Sequence, residues 1–167
     1  MIAVLMDVGE GQFGDVQFML DVLDEIKKGT DQGKIWAQGT ARVGKHYGAA
    51  RIPVIKQQAI SAYDPRVVEG TGVTMMMTAQ GADHTAGNLP KLDCREMDAS
   101  QIVAASFEAQ RVMAASDSLG ICIFGRVVTD TNADFIIDAM NSALGTAFPK
   151  SFYDEIGMET LRLEHEF

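Results

Sequence analysis

Apolar residues recur at helical spacing in separate stretches of this sequence, and this periodicity limits the possible folds more than any other feature. Apolar side chains fall three or four positions apart within residues 14–28, 98–116, 132–144 and 151–165. Such spacing places them on one face of an α-helix. The only strand-like run is short and covers residues 121–128. The sequence therefore predicts a mainly α, multi-helical fold.

The predicted helix ends carry the residue types that stop or start helices. Asp15 is placed to cap the first helix and Gly29 to end it. Asp98 and Gln101 have the spacing of a capping box at the start of a later helix. These signals support separate helices with defined ends.

Further helix boundaries and buried faces can be predicted. Residues 33–47 favour one or two short helices broken around Gly39. The helix predicted over residues 132–144 starts at Thr131 or Asn132 and ends at Gly145. The face predicted to be buried in the first helix consists of Val16, Met19, Leu20, Leu23 and Ile26. In residues 33–47 the predicted buried side consists of Ile35, Trp36 and Val43.

Residues 49–92 lose this helical period and contain many helix breakers. Prolines and glycines recur through the segment, and only residues 71–80 favour a short helix. A long segment with so little regular structure is unusual in a compact domain and often carries function. We therefore expect functional side chains in this segment.

Charge and cysteine usage exclude several classes of function. With 23 acidic and 14 basic residues the formal net charge is −9, so a phosphate-backbone partner is not expected. No apolar run is long enough to cross a bilayer, and the apolar amino terminus lacks the preceding positive charge of a secretory signal. The two cysteines are too few for a disulfide framework. We predict a cytoplasmic protein that binds neither nucleic acid nor membrane.

One cluster of candidate site residues follows directly from a long predicted helix, at Asp117 to Cys122. A carboxylate such as Asp117 can accept paired hydrogen bonds from the edge of a heterocycle, and Gly120 lets a ring approach the backbone. The Cys122 thiolate suits iron in an iron–sulfur cluster, which commonly needs four such ligands. The structural alternative is a helix with a glycine C-cap and a buried, inert cysteine.

A second cluster lies in the breaker-rich segment and contains Asp83 and His84, with Tyr63 upstream. Histidine titrates near neutral pH, and a tyrosine hydroxyl can polarise a carbonyl group. The structural alternative is a loop hydrogen bond between Asp83 and His84, with Tyr63 at the start of a proline-containing turn. A metal-dependent hydrolase is a weaker interpretation, because no metal-binding spacing accompanies these residues.

These two clusters belong to a set of five motifs that follow one another along the chain. The set is Phe13-Gly14-Asp15, Ala62-Tyr63-Asp64-Pro65-Arg66, Gly81-Ala82-Asp83-His84, Asp117 to Cys122, and Leu161-Arg162-Leu163-Glu164. Together they resemble the aldehyde:ferredoxin oxidoreductase family over nearly the whole chain. The resemblance implies the helical C-terminal domains of enzymes that oxidise aldehydes to carboxylic acids at a tungsten or molybdenum bis-pterin (tungstopterin or molybdopterin). Such enzymes pass the electrons through a 4Fe-4S cluster to ferredoxin.

The resemblance also implies roles for individual residues. Asp117 and Ile121, where the family more often has leucine, are expected to contact a pterin, and Cys122 to supply a cluster ligand. His84 and Tyr63 are expected beside the metal, His84 to handle a proton and Tyr63 to hold the carbonyl oxygen. The family's other cluster cysteines and its second pterin segment lie upstream of this sequence. We therefore expect a C-terminal fragment that is inactive by itself.

The same resemblance predicts domain limits and partners. Residues 1–54 are assigned to the end of the helical middle domain, and residues 55–167 to part of the helical C-terminal domain. The expected partners are ferredoxin, a small aldehyde and the missing N-terminal part of the enzyme. Self-association is a further way to cover surfaces that the missing part would meet. The rival class is a non-catalytic helical interaction subunit that keeps the family fold.

Overall fold

The computed structural model describes residues 1–125 and 132–167, and within them the chain is mainly α-helical, as predicted. The helices are α1 (Ile2–Asp7), α2 (Val16–Lys28), α3 (Asp31–Trp36), α4 (Thr40–His46), α5 (Glu69–Met77), α6 (Ala99–Ser118), α7 (Ala133–Leu144) and α8 (Phe152–Glu166). Strands β1 (Val54–Ile55) and β2 (Gln58–Ala59) form an antiparallel pair, and Ile123–Gly125 form a 3-10 helix. Among the described residues, no helix combines the length and hydropathy needed to span a bilayer.

The chain divides into two compact units. The first contains residues 1–62 and 80–82, and therefore α1 to α4 and the β-hairpin. The second contains residues 63–79 and 83–167, and therefore α5 to α8. The assignment of residues 1–54 and 55–167 to two domains of the family stays a prediction.

The core of the first unit is built from four short helices. Its buried side chains are Val4, Leu5, Val22, Trp36 and Val43. Burial of Trp36 and Val43 agrees with the prediction for residues 33–47, where Gly39 separates α3 from α4. Helix α1 has no sequence signal of its own, because it is a single short segment without a capping side chain. It is held by Val4 and Leu5, and the terminal amine donates to Thr40 Oγ1 over 2.6 Å.

Helix α2 has the predicted ends but buries a different face. The Asp15 carboxylate accepts from the Phe18 N–H at 3.0 Å, and Gly29 adopts the left-handed conformation at φ 65°. Val22 is buried, and Phe18 and Ile26 pack with it in the core. The predicted buried face is wrong at four positions, which are 38% to 62% exposed: Val16, Met19, Leu20 and Leu23. Helix α2 carries two apolar stripes, and spacing alone does not tell which stripe meets the core.

The β-hairpin was missed by the sequence analysis for a conformational reason. Lys56 and Gln57 connect the two strands, with φ angles of 49° and 69°. Two positive φ angles are typical of a type I′ turn, which usually contains Asn-Gly or a similar pair. Residues 80–82 pack on this hairpin, and a Cβ at Gly81 would lie 2.5 Å from the Ile55 carbonyl oxygen.

The second unit is organised around the long helix α6. The predicted capping box is confirmed, since Asp98 Oδ1 accepts from Gln101 N–H and Gln101 Oε1 accepts from Asp98 N–H, each at 2.9 Å. Helix α6 packs closely against α8, where a Cβ at Gly157 would lie 2.3 Å from the Arg111 carbonyl oxygen. Buried Tyr153 completes this contact, with its hydroxyl 2.6 Å from Ser116 Oγ.

The remaining predicted boundaries agree with the structure where it describes them. Helix α7 follows Asn132 and ends at Gly145, which has φ 65°. The alternative start at Thr131 lies outside the described residues. Residues 123–125 form a 3-10 helix where a strand-like run was expected, because Gly125 N–H donates to the Cys122 carbonyl and closes a tight turn. The rest of that run, residues 126–128, also lies outside the described residues.

Candidate functional site

The carboxyl end of α6 places Asp117 and Ile121 on either side of a tight helix stop. Ile121 N–H donates to the Ser116 carbonyl at 2.9 Å, and Gly120 N–H donates to the Asp117 carbonyl at 3.0 Å. Gly120 has φ 68°, so this pair of bonds forms a Schellman motif. The glycine C-cap of the structural alternative is therefore present. Ile121 is half-buried and Asp117 is exposed in the last turn of the helix.

The two cysteines have opposite environments. Cys122 is exposed and free, whereas Cys94 is free and buried, with its Sγ 3.9 Å from the Leu92 carbonyl oxygen. The structural alternative of a buried cysteine at position 122 is therefore wrong. Helix α6 has ended before Gly120, and the chain beyond it exposes Cys122 to solvent. The exposed Cys122 thiol can reach a ligand, while Cys94 fills space among its neighbours.

Tyr63 and His84 come together in the second unit. Their ring centroids are 5.5 Å apart and their planes are inclined by 27°, so the two rings stack. The predicted loop bond between Asp83 and His84 is replaced by another, since Asp83 Oδ1 accepts from the N–H and the hydroxyl of Thr85 at 2.8 and 2.7 Å. His84 itself is exposed. Its imidazole therefore stays available to a ligand.

The turn after Tyr63 is fixed by an ion pair. Val67 N–H donates to the Asp64 carbonyl at 2.9 Å across Pro65 and Arg66. The Asp64 carboxylate accepts from the Arg66 backbone N–H and from its guanidinium. Hydrogen bonding to the Arg66 side chain lowers the pKa of Asp64 to about 2. This local turn sets the direction in which the chain leaves Tyr63.

Asp117 and Asp83 connect the two predicted clusters. Desolvation raises the pKa of Asp117 above its ordinary value, and the negative charge of Asp83 raises that pKa further. The link between the two clusters is therefore the effect of the charge of Asp83 on the titration of Asp117. The sequence alone does not predict this link, because no local pattern relates the end of α6 to a loop far earlier in the sequence.

The set of candidate site residues is Tyr63, Asp83, His84, Asp117, Ile121 and Cys122, and it lies wholly in the second unit. It offers a proton acceptor at His84, a hydroxyl donor at Tyr63 and an exposed thiol at Cys122. Within residues 1–125 and 132–167, no group of three or more His, Cys, Asp or Glu side chains is placed to hold a metal ion.

Comparison with known proteins gives the family. Residues 4–167 match the family described as aldehyde ferredoxin oxidoreductase, domains 2 and 3. The chain belongs to the aldehyde ferredoxin oxidoreductase family. The predicted resemblance is confirmed, and the mainly α architecture agrees with this part of the family.

Curated members of the aldehyde ferredoxin oxidoreductase family are similar to nearly the whole chain at low identity. The tungsten-containing aldehyde ferredoxin oxidoreductase of Pyrococcus furiosus is 27% identical over 173 residues, which cover 98% of this chain and 28% of the relative. The protein of the same name from Thermococcus kodakarensis is 26% identical, with the same 98% and 28% coverage. This chain therefore spans just over a quarter of the length of these relatives. No solved structure matches the chain significantly.

Proposed function

We propose that this chain supplies the pterin-contacting and cluster-binding carboxyl-terminal part of an enzyme that oxidises aldehydes to carboxylic acids. The observation that carries the proposal is the exposed Cys122 just beyond Asp117 at the end of α6, in a chain of this family. The names of the curated relatives include tungsten, aldehyde and ferredoxin. Tungstopterin or molybdopterin, a 4Fe-4S cluster and ferredoxin as electron acceptor are therefore proposed for the whole enzyme.

The residues present fit such a cofactor. A carboxylate at Asp117 accepts hydrogen bonds from the amide and amino groups of a pterin edge. A Cβ added at Gly120 would have no other atom within 4 Å. A ring therefore has room to approach the backbone at Gly120, next to Ile121. Cys122 is a free, exposed thiol and can supply one ligand of an iron–sulfur cluster.

The proposed chemistry divides between cofactor and protein. When bound, the metal pterin supplies the two-electron oxidation and the cluster supplies electron transfer. His84 accepts a proton on its exposed imidazole, and the Tyr63 hydroxyl donates a hydrogen bond to the aldehyde carbonyl oxygen. The stacking of Tyr63 on His84 supports this assignment, because neighbouring rings can reach the same small molecule. Cytoplasmic localisation stays part of this proposal.

The exposed stripe on α2 is proposed to bind the rest of the enzyme. Val16, Met19, Leu20 and Leu23 form this stripe at helical spacing and remain exposed. The occupant we propose is the part of a family enzyme that this chain does not span, because the chain covers only 28% of the relatives' length. Contiguous exposed apolar residues commonly mark protein interfaces.

A second candidate function rests on the same stripe. A non-catalytic subunit that keeps the family fold would use it to bind a partner without any cofactor. The two candidates differ at Cys122, because a subunit without a cluster makes no use of that thiol.

The deciding experiment is metal and iron analysis of this chain, purified anaerobically alone and after co-expression with the N-terminal remainder of a family enzyme. We expect tungsten or molybdenum, iron and aldehyde-dependent dye reduction only in the joint preparation. The Cys122→Ala variant should lose iron there and keep the association. An assembled complex that contains neither metal nor iron would instead support the interaction subunit.

A further inference from the structure

A cavity of about 420 Å³ lies within the second unit, between α5, α6 and α8. Its walls are apolar and include Met77 from α5, Val103 and Phe107 from α6, and Met158 and Leu161 from α8. A volume of this size is typical of sites that bind small organic molecules. None of the residues of the candidate site lines it.

The floor of the cavity is polar and buried. Gln110 is only 5% exposed and lines the cavity together with Ser106. The Gln110 amide donates one hydrogen to Ser106 Oγ at 3.1 Å, and Ser106 Oγ lies 2.7 Å from Thr74 Oγ1. This network fixes the orientation of the amide group. Because an amide carries two donor hydrogens and Gln110 lines the cavity, this side chain can also donate a hydrogen bond to a ligand.

The rim of the cavity disfavours anions. Arg162 is its only guanidinium group among the described lining residues, and it already pairs with Glu159 at 2.6 Å and with Glu166. The hydrogen bond that Arg162 donates to Glu159 is the largest cause that raises the pKa of Arg162, followed by the bond it donates to Glu166. Glu166 and His165 also line the cavity, and because Arg162 is already paired with two carboxylates, no unpaired guanidinium is left among the described lining residues to attract a carboxylate ligand.

We propose that this cavity binds an uncharged small molecule with an apolar body and one carbonyl group. The apolar walls contact the apolar body of the ligand, and Gln110 donates its second amide hydrogen to the carbonyl oxygen. A carboxylate of the same shape is rejected at the rim. The proposal concerns binding to this chain alone and does not depend on the proposed redox function.

The test uses the whole chain with methionine methyl groups labelled for NMR, and 2-acetylnaphthalene as the probe. The methyl signals of Met77 and Met158 should shift on titration, because both residues line the cavity. Met76 is the matched control, since it is exposed next to Met77 and does not line the cavity. The carboxylate 2-naphthoate should bind at least about tenfold more weakly, the loss that roughly 1.4 kcal/mol of repulsion produces.

Two substitutions complete the test. Val103→Trp should fill the cavity and abolish the shifts, while Val67→Trp should not, because Val67 is exposed and does not line the cavity. Gln110→Leu should weaken binding of the ketone about fivefold, as expected for one lost hydrogen bond, and leave binding of 2-ethylnaphthalene unchanged. Absence of shifts at Met77 and Met158, shifts that persist in Val103→Trp, or equal binding of ketone and carboxylate would overturn the proposal.

Discussion

The phenol ring of Tyr63 stacks on the imidazole of His84, with centroids 5.5 Å apart. Because the two residues lie in separate loops, this contact couples two motifs that the sequence presents apart. The contact also lets ring stacking be separated from acid–base chemistry by substitution. A phenylalanine at either position keeps an aromatic ring and removes the polar group.

We expect His84→Phe to lower aldehyde oxidation by the assembled enzyme about 10²- to 10⁴-fold, the usual contribution of a positioned proton acceptor. Thermal stability should change little, because the ring contact with Tyr63 is kept. His46→Phe is the control, since His46 is also exposed and also has a ring contact, with Tyr47. Steady-state rates with a dye acceptor decide the matter. Equal rates for the two variants would remove His84 from the proposed mechanism.

Cys122 and Cys94 provide a matched pair of thiols. Cys122 is exposed and Cys94 is buried, so a thiol reagent should modify Cys122 rapidly in the folded chain and Cys94 only after opening. In the assembled enzyme, Cys122→Ser should lower the iron content and leave the folding of this chain intact. Cys94→Ser should retain the iron and lower the free energy of unfolding by about 1 kcal/mol, because it buries a hydroxyl. Retention of all iron in Cys122→Ser would exclude Cys122 as a cluster ligand.

The repulsion between Asp83 and Asp117 predicts a measurable titration effect. Desolvation and the charge of Asp83 both raise the pKa of Asp117, so Asp83→Asn should lower that pKa without returning it to its ordinary value. Carboxyl carbon NMR over a pH series measures this directly. A pKa of Asp117 that does not respond to Asp83→Asn would show that the two carboxylates are not close.

The same shift has a consequence for stability. The folded chain holds the Asp117 proton more tightly than the unfolded chain, so the free energy of unfolding falls as pH rises through the two pKa values. Asp117→Asn removes the ionisable group and with it this loss of folding free energy, so the variant should have a higher melting temperature at neutral pH. The difference should disappear below about pH 3, where the carboxyl group is protonated in both states. A stabilisation that persists in acid would indicate another cause.

The sequence predicts those features that local chemistry determines. Asp15 and the pair Asp98 and Gln101 cap helices as their types require, and Gly120 ends α6 in the conformation that glycine favours. The ordered motifs also indicate the correct family. Features that depend on long-range packing were not predictable in the same way.

Three examples show this limit. The buried stripe of α2 depends on where the core lies, and α1 forms because its apolar side chains enter that core. The electrostatic effect of Asp83 on Asp117 depends on how a loop and the end of α6 are arranged in the folded unit. In each case the free energy comes from partners far along the sequence, so a local pattern carries no signal for it.

The exposed stripe on α2 leads to a prediction about assembly. Leu23 is 62% exposed, so Leu23→Glu should leave this chain folded and weaken its co-purification with the remainder of a family enzyme. Gln38→Glu adds the same charge at another exposed position of the first unit and should have no effect. Light scattering on the isolated chain measures its oligomeric state and so tests whether the stripe binds a second copy of this chain instead. A dimer that Leu23→Glu converts to a monomer would identify a second copy, rather than the missing part, as the occupant.

The close approach of α6 and α8 at Gly157 predicts a loss of stability on adding a single methyl group. A Cβ at this position would lie 2.3 Å from the Arg111 carbonyl oxygen, which is backbone and cannot rotate away. Alanine favours a helix over glycine by about 1 kcal/mol, and this gain opposes the clash. Overpacking commonly costs about 1–3 kcal/mol, and a backbone contact this short requires the helices to separate. We therefore expect Gly157→Ala to lower the free energy of unfolding.

Urea unfolding of the isolated chain measures the effect, with Glu164→Ala as the control because Glu164 is exposed on the same helix. The packing around Tyr153 should also loosen, since the hydrogen bond between its hydroxyl and Ser116 Oγ joins the same two helices. The near-ultraviolet circular dichroism of Tyr153 and its neighbours should then weaken in Gly157→Ala only. A Gly157→Ala variant more stable than the parent would mean that helix propensity prevails and that α6 and α8 do not approach this closely.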